Sequence, residues 1–277
     1  MRVPAAVLRT MLATTVRPLL GPQVPVSVQR KAMDAFSKGT PLPRDVTVTE
    51  VRLAGRPARS YTPAGQARGS VLWLHGGAFI TGSFATHGAF AAHLAKASGA
   101  VVHLLDYRLA PEHPHPAAVD DAVAALSLVP TGPVVLGGDS AGGCLALLAA
   151  ERSPVDLAGL ALISPVVDLT GRTAQAWTGR DILVRNDWLR QGVAAMFGDQ
   201  VPEVLGSSLL PTVVHVSGRE RLRAEGEELA RSIGAELFVV PGMWHDVHLQ
   251  AGLVRQADEA VARLGGSIRA FLSAAPR

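Results

Sequence analysis

The chain of 277 residues contains one cysteine, two tyrosines and only 5% aromatic residues. A lone cysteine excludes any internal disulfide and suits a reducing compartment, so a cytoplasmic location is expected. With aromatics so scarce, the core has to be built mainly from Val, Leu and Ala. No uninterrupted apolar run approaches the roughly 18 residues of a membrane-spanning helix, and stable membrane insertion is not expected. An excess of one charge is also missing, since 26 Lys/Arg oppose 23 Asp/Glu. Residues 1–60 hold ten Lys/Arg and three Asp/Glu, leaving 16 against 20 for the remainder. A locally basic N-terminus on an otherwise slightly acidic chain gives no reason to expect a nucleic acid partner. The first twenty residues are apolar and basic, but Arg9 interrupts them and no convincing small-residue cleavage site follows. They read as part of the folded protein rather than as a leader.

Two amphipathic helices are expected before any strand. Val7/Leu8, Met11/Leu12, Val16 and Leu19/Leu20 recur about every four residues, and Pro18 and Gly21 close the run. In "SVQRKAMDAFSKG" Ser27 can cap a helix whose Val28, Met33 and Phe36 share a face, with Gly39 as the stop. The period then changes. "VTVTEVRL" alternates, and "RPARSYTP" is its partner across a turn at Gly55. Six further apolar runs follow: "SVLWLHG", "AVVHLLDY", "PVVLGGD", "AGLALISP", "PTVVHVSG" and "AELFVVPG". Helical segments at 88–98, 117–128, 141–152, 187–197, 223–232 and 253–273 follow or separate these runs. This alternation predicts an α/β fold with a mostly parallel, eight-stranded sheet and helices on both faces. Residues 166–186 and 198–210 are the least periodic.

The most specific local signal is "VVLGGDSAGGCLALLAA". A strand ends at Gly138, Ser140 sits in Gly-Asp-Ser-Ala-Gly, and a helix starts at once. This is G-x-S-x-G in the strand–turn–helix setting that a nucleophilic serine requires. A turn that tight strains the serine backbone, and Gly138 and Gly142 supply the room. A second loop, His75-Gly76-Gly77-Ala78-Phe79, also follows a strand. Its glycines let backbone N–H groups face a developing oxyanion. The expected donors are Gly77, Ala78 and Ala141, with Gly76 completing the oxyanion-hole loop. His75 reads as a residue that shapes the loop. The base is expected on the loop after the last strand, "VVPGMWHDVHLQ", where His245 fits the loop and His248 falls near the next helix. A histidine suits that role because its ordinary pKa, about 6.5, leaves it mostly neutral at pH 7.

Five motifs occur in order: His75-Gly-Gly-Ala-Phe, "DYRLAPEHPHPAA", "GDSAGG", "SPVVDLT" and "GMWH". Together they resemble the hormone-sensitive-lipase-like family of α/β-hydrolases, especially its bacterial esterases, over nearly the whole chain. The resemblance implies an ester hydrolase that acts on short acyl chains through an acyl-enzyme. It implies no metal and no cofactor, and an ester as the small-molecule partner. It also implies that residues 1–44 form an N-terminal helical cap and 45–277 the catalytic domain, with 166–210 contributing to the cap and acyl pocket. Asp106, Arg108 and Glu112 are read as a polar brace, and Cys144 as a buried thiol. A homodimer stays open.

The sequence departs from the family pattern in places. Ala78 stands where a third glycine is usual, Val247 where Phe is common, and the segment 198–211 is short. No Asp follows the seventh strand. Glu220 lies two residues past Gly218, at the family's Gly-x-Asp/Glu position, and leaves the strand end directly toward the histidine loop. Glu225 falls a turn further on, inside a helix, where the family commonly has a structural acid. The expected catalytic set is therefore Ser140, Glu220 and His245. A hydrolase-like binding protein would be expected to have lost the serine or the base, and both are present. Acyl transfer to another acceptor and amide hydrolysis use the same residues and stay open.

Overall fold

The structure is a computed structural model that describes residues 2–129, 132–204 and 210–275. Its eight strands are β1 (Val46–Leu53), β2 (Arg56–Pro63), β3 (Ser70–Leu74), β4 (Val101–Leu105), β5 (Val134–Asp139), β6 (Leu157–Ile163), β7 (Thr212–Ser217) and β8 (Glu236–Val240). They form one sheet in the order β1-β2-β4-β3-β5-β6-β7-β8. β1 pairs antiparallel with β2 and β2 with β4, while every later pairing is parallel. Each residue of β3, β5 and β7 is buried. That is why these strands read as continuous apolar runs: helices cover both of their faces.

Alternate residues of the same strands feed two cores. Leu72, Leu74, Leu136, Leu160, Leu162 and Val214 belong to one. Val71, Trp73, Val135, Ala161, Ile163 and Val213 belong to the other. The two-residue period of a strand divides the side chains this way. The second core is closed by α3 (Phe84–Ser98) and α9 (Arg255–Ala274). The first is closed by α4 (Ala117–Leu126), α5 (Ala141–Ala150), α7 (Asn186–Phe197), α8 (Arg223–Ile233) and the N-terminal helices; a short α6 (Arg172–Ala176) lies between β6 and α7.

The N-terminal segment is helical, with differences from expectation. α1 (Ala5–Met11) runs into a π-helical turn at Leu12–Val16 and a 3-10 turn at Arg17–Leu19. Leu8, Leu12, Val16 and Leu20 are buried, whereas their neighbours Val7 and Met11 are 49% and 46% exposed. Thus a four-residue spacing sets the inner face, and one member of each apolar pair points outward. α2 (Val26–Ser37) starts after Pro25, and Ser27 does not cap it. Val28 does not share the face of Met33 either, because five residues of helix turn the side chain about 140° away. It is 44% exposed. The inward residue is Gln29, which is wholly buried. Its Nε2 donates to the carbonyls of Gly21 (2.9 Å) and Val24 (2.8 Å), and its Oε1 accepts from Trp188 Nε1 (2.7 Å) on α7. This polar knot joins α2 to the main body. Gln29→Ala leaves the indole and the Val24 carbonyl without that partner, while the Gly21 carbonyl keeps the Val24 N–H, and should cost about 1–3 kcal/mol of stability in urea unfolding. An unchanged unfolding midpoint would show that the knot contributes nothing.

Candidate active site

Ser140 lies between β5 and α5 with φ 52° and ψ −118°. A non-glycine residue at positive φ is strained, and its surroundings must hold it there. Its N–H donates to the Ile163 carbonyl (2.8 Å), and its own carbonyl accepts from Val166 N–H (3.0 Å) and Cys144 N–H (3.2 Å). A Cβ at Gly138 would run into the Gly142 carbonyl, and one at Gly142 into the Leu74 carbonyl. These two glycines therefore let strand, turn and helix approach closely enough to keep the turn closed.

The loops after β7 and β8 meet beside this turn. Arg219 N–H donates to the Met243 carbonyl (2.8 Å) and Gly218 N–H to the Val240 carbonyl (2.9 Å). This juxtaposition sets Glu220 Oε2 2.7 Å from His245 Nδ1. The other oxygen, Oε1, accepts from Ser217 N–H (2.6 Å) and Ser164 Oγ (2.8 Å). Glu220 is wholly buried and His245 3% exposed. Three contacts on one carboxylate fix both the acid and the orientation of the imidazole. Burial works against a charged imidazole, but the carboxylates of Asp246 and Glu220 outweigh it and hold the His245 pKa well above its ordinary value. His248 sits elsewhere: its Nε2 is 3.0 Å from His215 Nδ1, and burial pushes its pKa down to about 3. It is a neutral core residue.

In the loop after β3, Gly77 has φ 122°, Ala78 φ 51° and Phe79 φ 65°. Ala78 thus takes the left-handed conformation despite its Cβ. Its carbonyl lies against Gly192 of α7, where any side chain would collide with it. Among the described residues, no protein acceptor takes the N–H groups of Gly77, Ala78 or Ala141. Ala141 opens α5, so the helix N-terminus adds partial positive charge there. Gly76 differs from expectation. Its N–H donates to Asp139 Oδ2 (2.9 Å) and is not free for an oxyanion. His75 is buried, stacks on Tyr107 at 4.3 Å, and its carbonyl accepts from Tyr107 Oη (2.6 Å). Burial pushes its pKa down to about 4, so it stays neutral and shapes the loop.

Of the expected polar brace, Arg108 binds Asp121 through both oxygens, at 2.8 and 3.0 Å. Glu112 pairs with Arg30 of α2 at 2.7 and 2.8 Å. Arg30 also donates to the carbonyls of Ile80 (2.8 Å) and Ala110 (3.0 Å), so α2 grips the loop that carries Gly77 and Ala78. The Asp106 carbonyl accepts from Arg56 (3.1 Å). Cys144 is fully buried, and burial raises its pKa strongly. A cavity of about 430 Å³ lies under the N-terminal helices, lined by Leu8, Leu12, Met33, Phe36, Leu183 and Leu249 among others. The shortened segment 198–211 lies partly outside the described residues, which omit 205–209.

Sequence reasoning passed over Asp139, His87, Ser164 and Asp246. Asp139 is wholly buried and accepts from Trp73 Nε1 (2.8 Å) as well as Gly76, with His87 Nε2 2.9 Å away. Burial alone would raise its pKa, but His87 and the indole donor hold it below the ordinary value. One signal was available for it: a carboxylate ending a fully apolar strand must find buried donors. Ser164 stands at φ 44° and reaches Glu220, which the sequence spacing does not reveal.

Glu225 stands on α8, as expected of the second acid, and accepts from Val167 N–H (2.6 Å) and Asp168 N–H (2.7 Å). Burial pushes its pKa from 4.5 up to about 7. A carboxyl whose pKa rises on folding holds its proton more tightly in the folded chain. Its contribution is intact below pH 4.5 and is lost as pH climbs through 7. Glu225→Gln should therefore flatten the decline in stability across that window, read from urea midpoints at a series of pH values. Parallel curves for parent and variant would contradict this.

Comparison with known proteins gives a consistent picture. A family model described as the α/β-hydrolase fold matches residues 71–249. The chain is 34% identical to the esterase LipU of Mycobacterium tuberculosis over 246 residues, covering 76% of this chain and 81% of that protein. It is 32% identical to an acetyl-hydrolase of Streptomyces hygroscopicus, covering 86% and 87%. Among solved structures, a hormone-sensitive lipase from a metagenome library superposes with a TM-score of 0.87 at 30% identity, covering 98% of this chain and 99% of that one. An esterase from the bacterial hormone-sensitive lipase family gives 0.83 at 28% identity, covering 98% and 100%.

Proposed function

The chain belongs to the α/β-hydrolase family, and from that premise we propose that it is a serine carboxylesterase acting on short-chain acyl esters. The observation that carries this reading is the buried Glu220–His245 pair, 2.7 Å apart, on loops beside the strained Ser140 turn. Ser140 Oγ attacks the ester carbonyl, and His245 Nε2 takes its proton. Glu220 holds Nδ1–H, fixes the tautomer and stabilises the imidazolium. The N–H groups of Gly77, Ala78 and Ala141 receive the oxyanion. The alcohol departs with the proton from His245, and the same base then activates water to cleave the acyl-enzyme. Short acyl chains are favoured by the likeness to an acetyl-hydrolase and by the closure of the site, where Ser140 is only 6% exposed. The ester is the small-molecule partner. Among the described residues no helix is long and apolar enough to cross a membrane.

Ser140→Ala should abolish both p-nitrophenyl butyrate hydrolysis and labelling by a fluorophosphonate probe. Glu220→Gln should lower kcat by on the order of 10⁴ with KM little changed, because the imidazole loses its proper tautomer. Full labelling of the serine variant, or an undiminished kcat in the glutamine variant, would mean that these residues do not react as described. Across a series of p-nitrophenyl esters, kcat/KM should peak between acetate and butyrate; a peak at long chains would overturn the short-chain reading.

A further inference from the structure

The nitrogen of His245 that must accept the serine proton already has a neighbour. Asp246 Oδ2 lies 3.0 Å from His245 Nε2. Among the described residues no hydrogen bond joins Ser140 Oγ to that nitrogen. Asp246 is placed there by its backbone. It occupies the left-handed region at φ 51° and ψ 39°, which turns its side chain back toward the residue before it. The residue is 5% exposed, and its second oxygen, Oδ1, is buried with no partner among the described residues. An unpartnered carboxylate oxygen in the interior is costly, so the contact with His245 is the main compensation Asp246 has.

We propose that Asp246 is a positioning residue that occupies His245 Nε2 in the resting enzyme, so that this pair must give up a proton before the base can serve Ser140. Nε2 is occupied wherever that proton sits. If it is on the imidazole, Nε2–H donates to the carboxylate. If it is on the carboxyl, Oδ2–H donates to Nε2. In both cases Nε2 has no lone pair free for the serine hydroxyl. Loss of the proton to solvent leaves a carboxylate facing a nitrogen lone pair, and their repulsion turns the two apart. Nε2 can then accept from Ser140.

The surrounding charges favour the protonated pair. Glu220 faces the imidazole from the loop after β7, and Asp139 faces Asp246 from the end of β5. His248, on the turn Val247–Gln250, is the neighbouring histidine and is neutral. Burial pushes the Asp246 carboxyl up to about 7, and His245 is raised as well. Among the described residues no lysine or arginine acts on this pair, and two carboxylates with one imidazole then retain a proton well into the neutral range. The two groups titrate as a pair, so a rate profile reports the pair and not either residue.

This inference rests on Ser140 and His245 being the reacting pair, and the experiment separates the two claims. The rate of Ser140 labelling by a fluorophosphonate probe, and kcat/KM for p-nitrophenyl acetate, are measured from pH 5 to pH 10 in the parent, Asp246→Asn and Asp246→Gly. Both substitutes tolerate left-handed backbone. In the parent the acid limb should lie above the ordinary imidazole value of about 6.5. In both variants it should move down by at least one unit, which makes labelling at low pH about tenfold faster relative to the plateau. An unshifted limb in both variants, or loss of labelling at every pH in a variant that remains folded, overturns the proposal. So does a parent limb at or below the ordinary value, which needs no variant at all. Labelling that persists in Ser140→Ala would instead defeat the esterase reading.

Discussion

One buried carboxylate holds the two halves of the site in register. Asp139 ends β5 immediately before the strained serine. Its oxygens bind the Trp73 indole on β3 and the Gly76 N–H at the start of the oxyanion loop, and face His87 on α3. The nucleophile turn and the loop with free N–H groups come from different strands. Without a common anchor each could shift independently, and an oxyanion site depends on placement to within fractions of an ångström. A buried charge is tolerable here because its hydrogen-bonding capacity is met on every side.

Strain is distributed around that anchor. Ser140, Ala78, Phe79, Ser164 and Asp246 all sit at positive φ without being glycine. Each lies on a loop at the carboxyl end of the parallel strands, where ligand sites form in open α/β sheets. Close packing keeps them there. Gly138 and Gly142 admit the turn, Gly192 admits the Ala78 carbonyl, and Arg30 ties the first helices to the same loop. The N-terminal helices, themselves fixed by the Gln29–Trp188 bond, thereby join the structure that positions the oxyanion donors.

Much of this was legible in the sequence because it is local. β1 and β2 fall on the two alternating runs without a shift, and the other six strands match theirs to within two residues at each end, β6 starting one residue earlier, at Leu157. The serine turn, the glycine loop, Glu220 and His245 each follow a strand, and strand order is enough to bring them to one edge. What stayed hidden depends on directions that spacing does not encode. In α2 the pattern suggested an apolar face through Val28, whereas the buried position is a glutamine satisfied by distant partners. Gly76 was legible as part of the oxyanion-hole loop, whereas the capture of its N–H by Asp139 was not. The donors to Asp139 come from another strand and its loop, and Asp246 turns back on its own neighbour His245, so their roles show only in the folded chain.

The central claim is that the carbonyl carbon of the ester becomes bonded to the oxygen of the strained serine. The direct measurement is rapid acid quench of the enzyme during turnover of p-nitrophenyl butyrate, followed by peptide mapping by mass spectrometry. The account predicts one butyryl group per chain, on the peptide spanning Gly138–Gly143 and attached to Ser140. Steady hydrolysis with the acyl group on another residue, or with no adduct at any quench time while a burst of nitrophenol is seen, would contradict it.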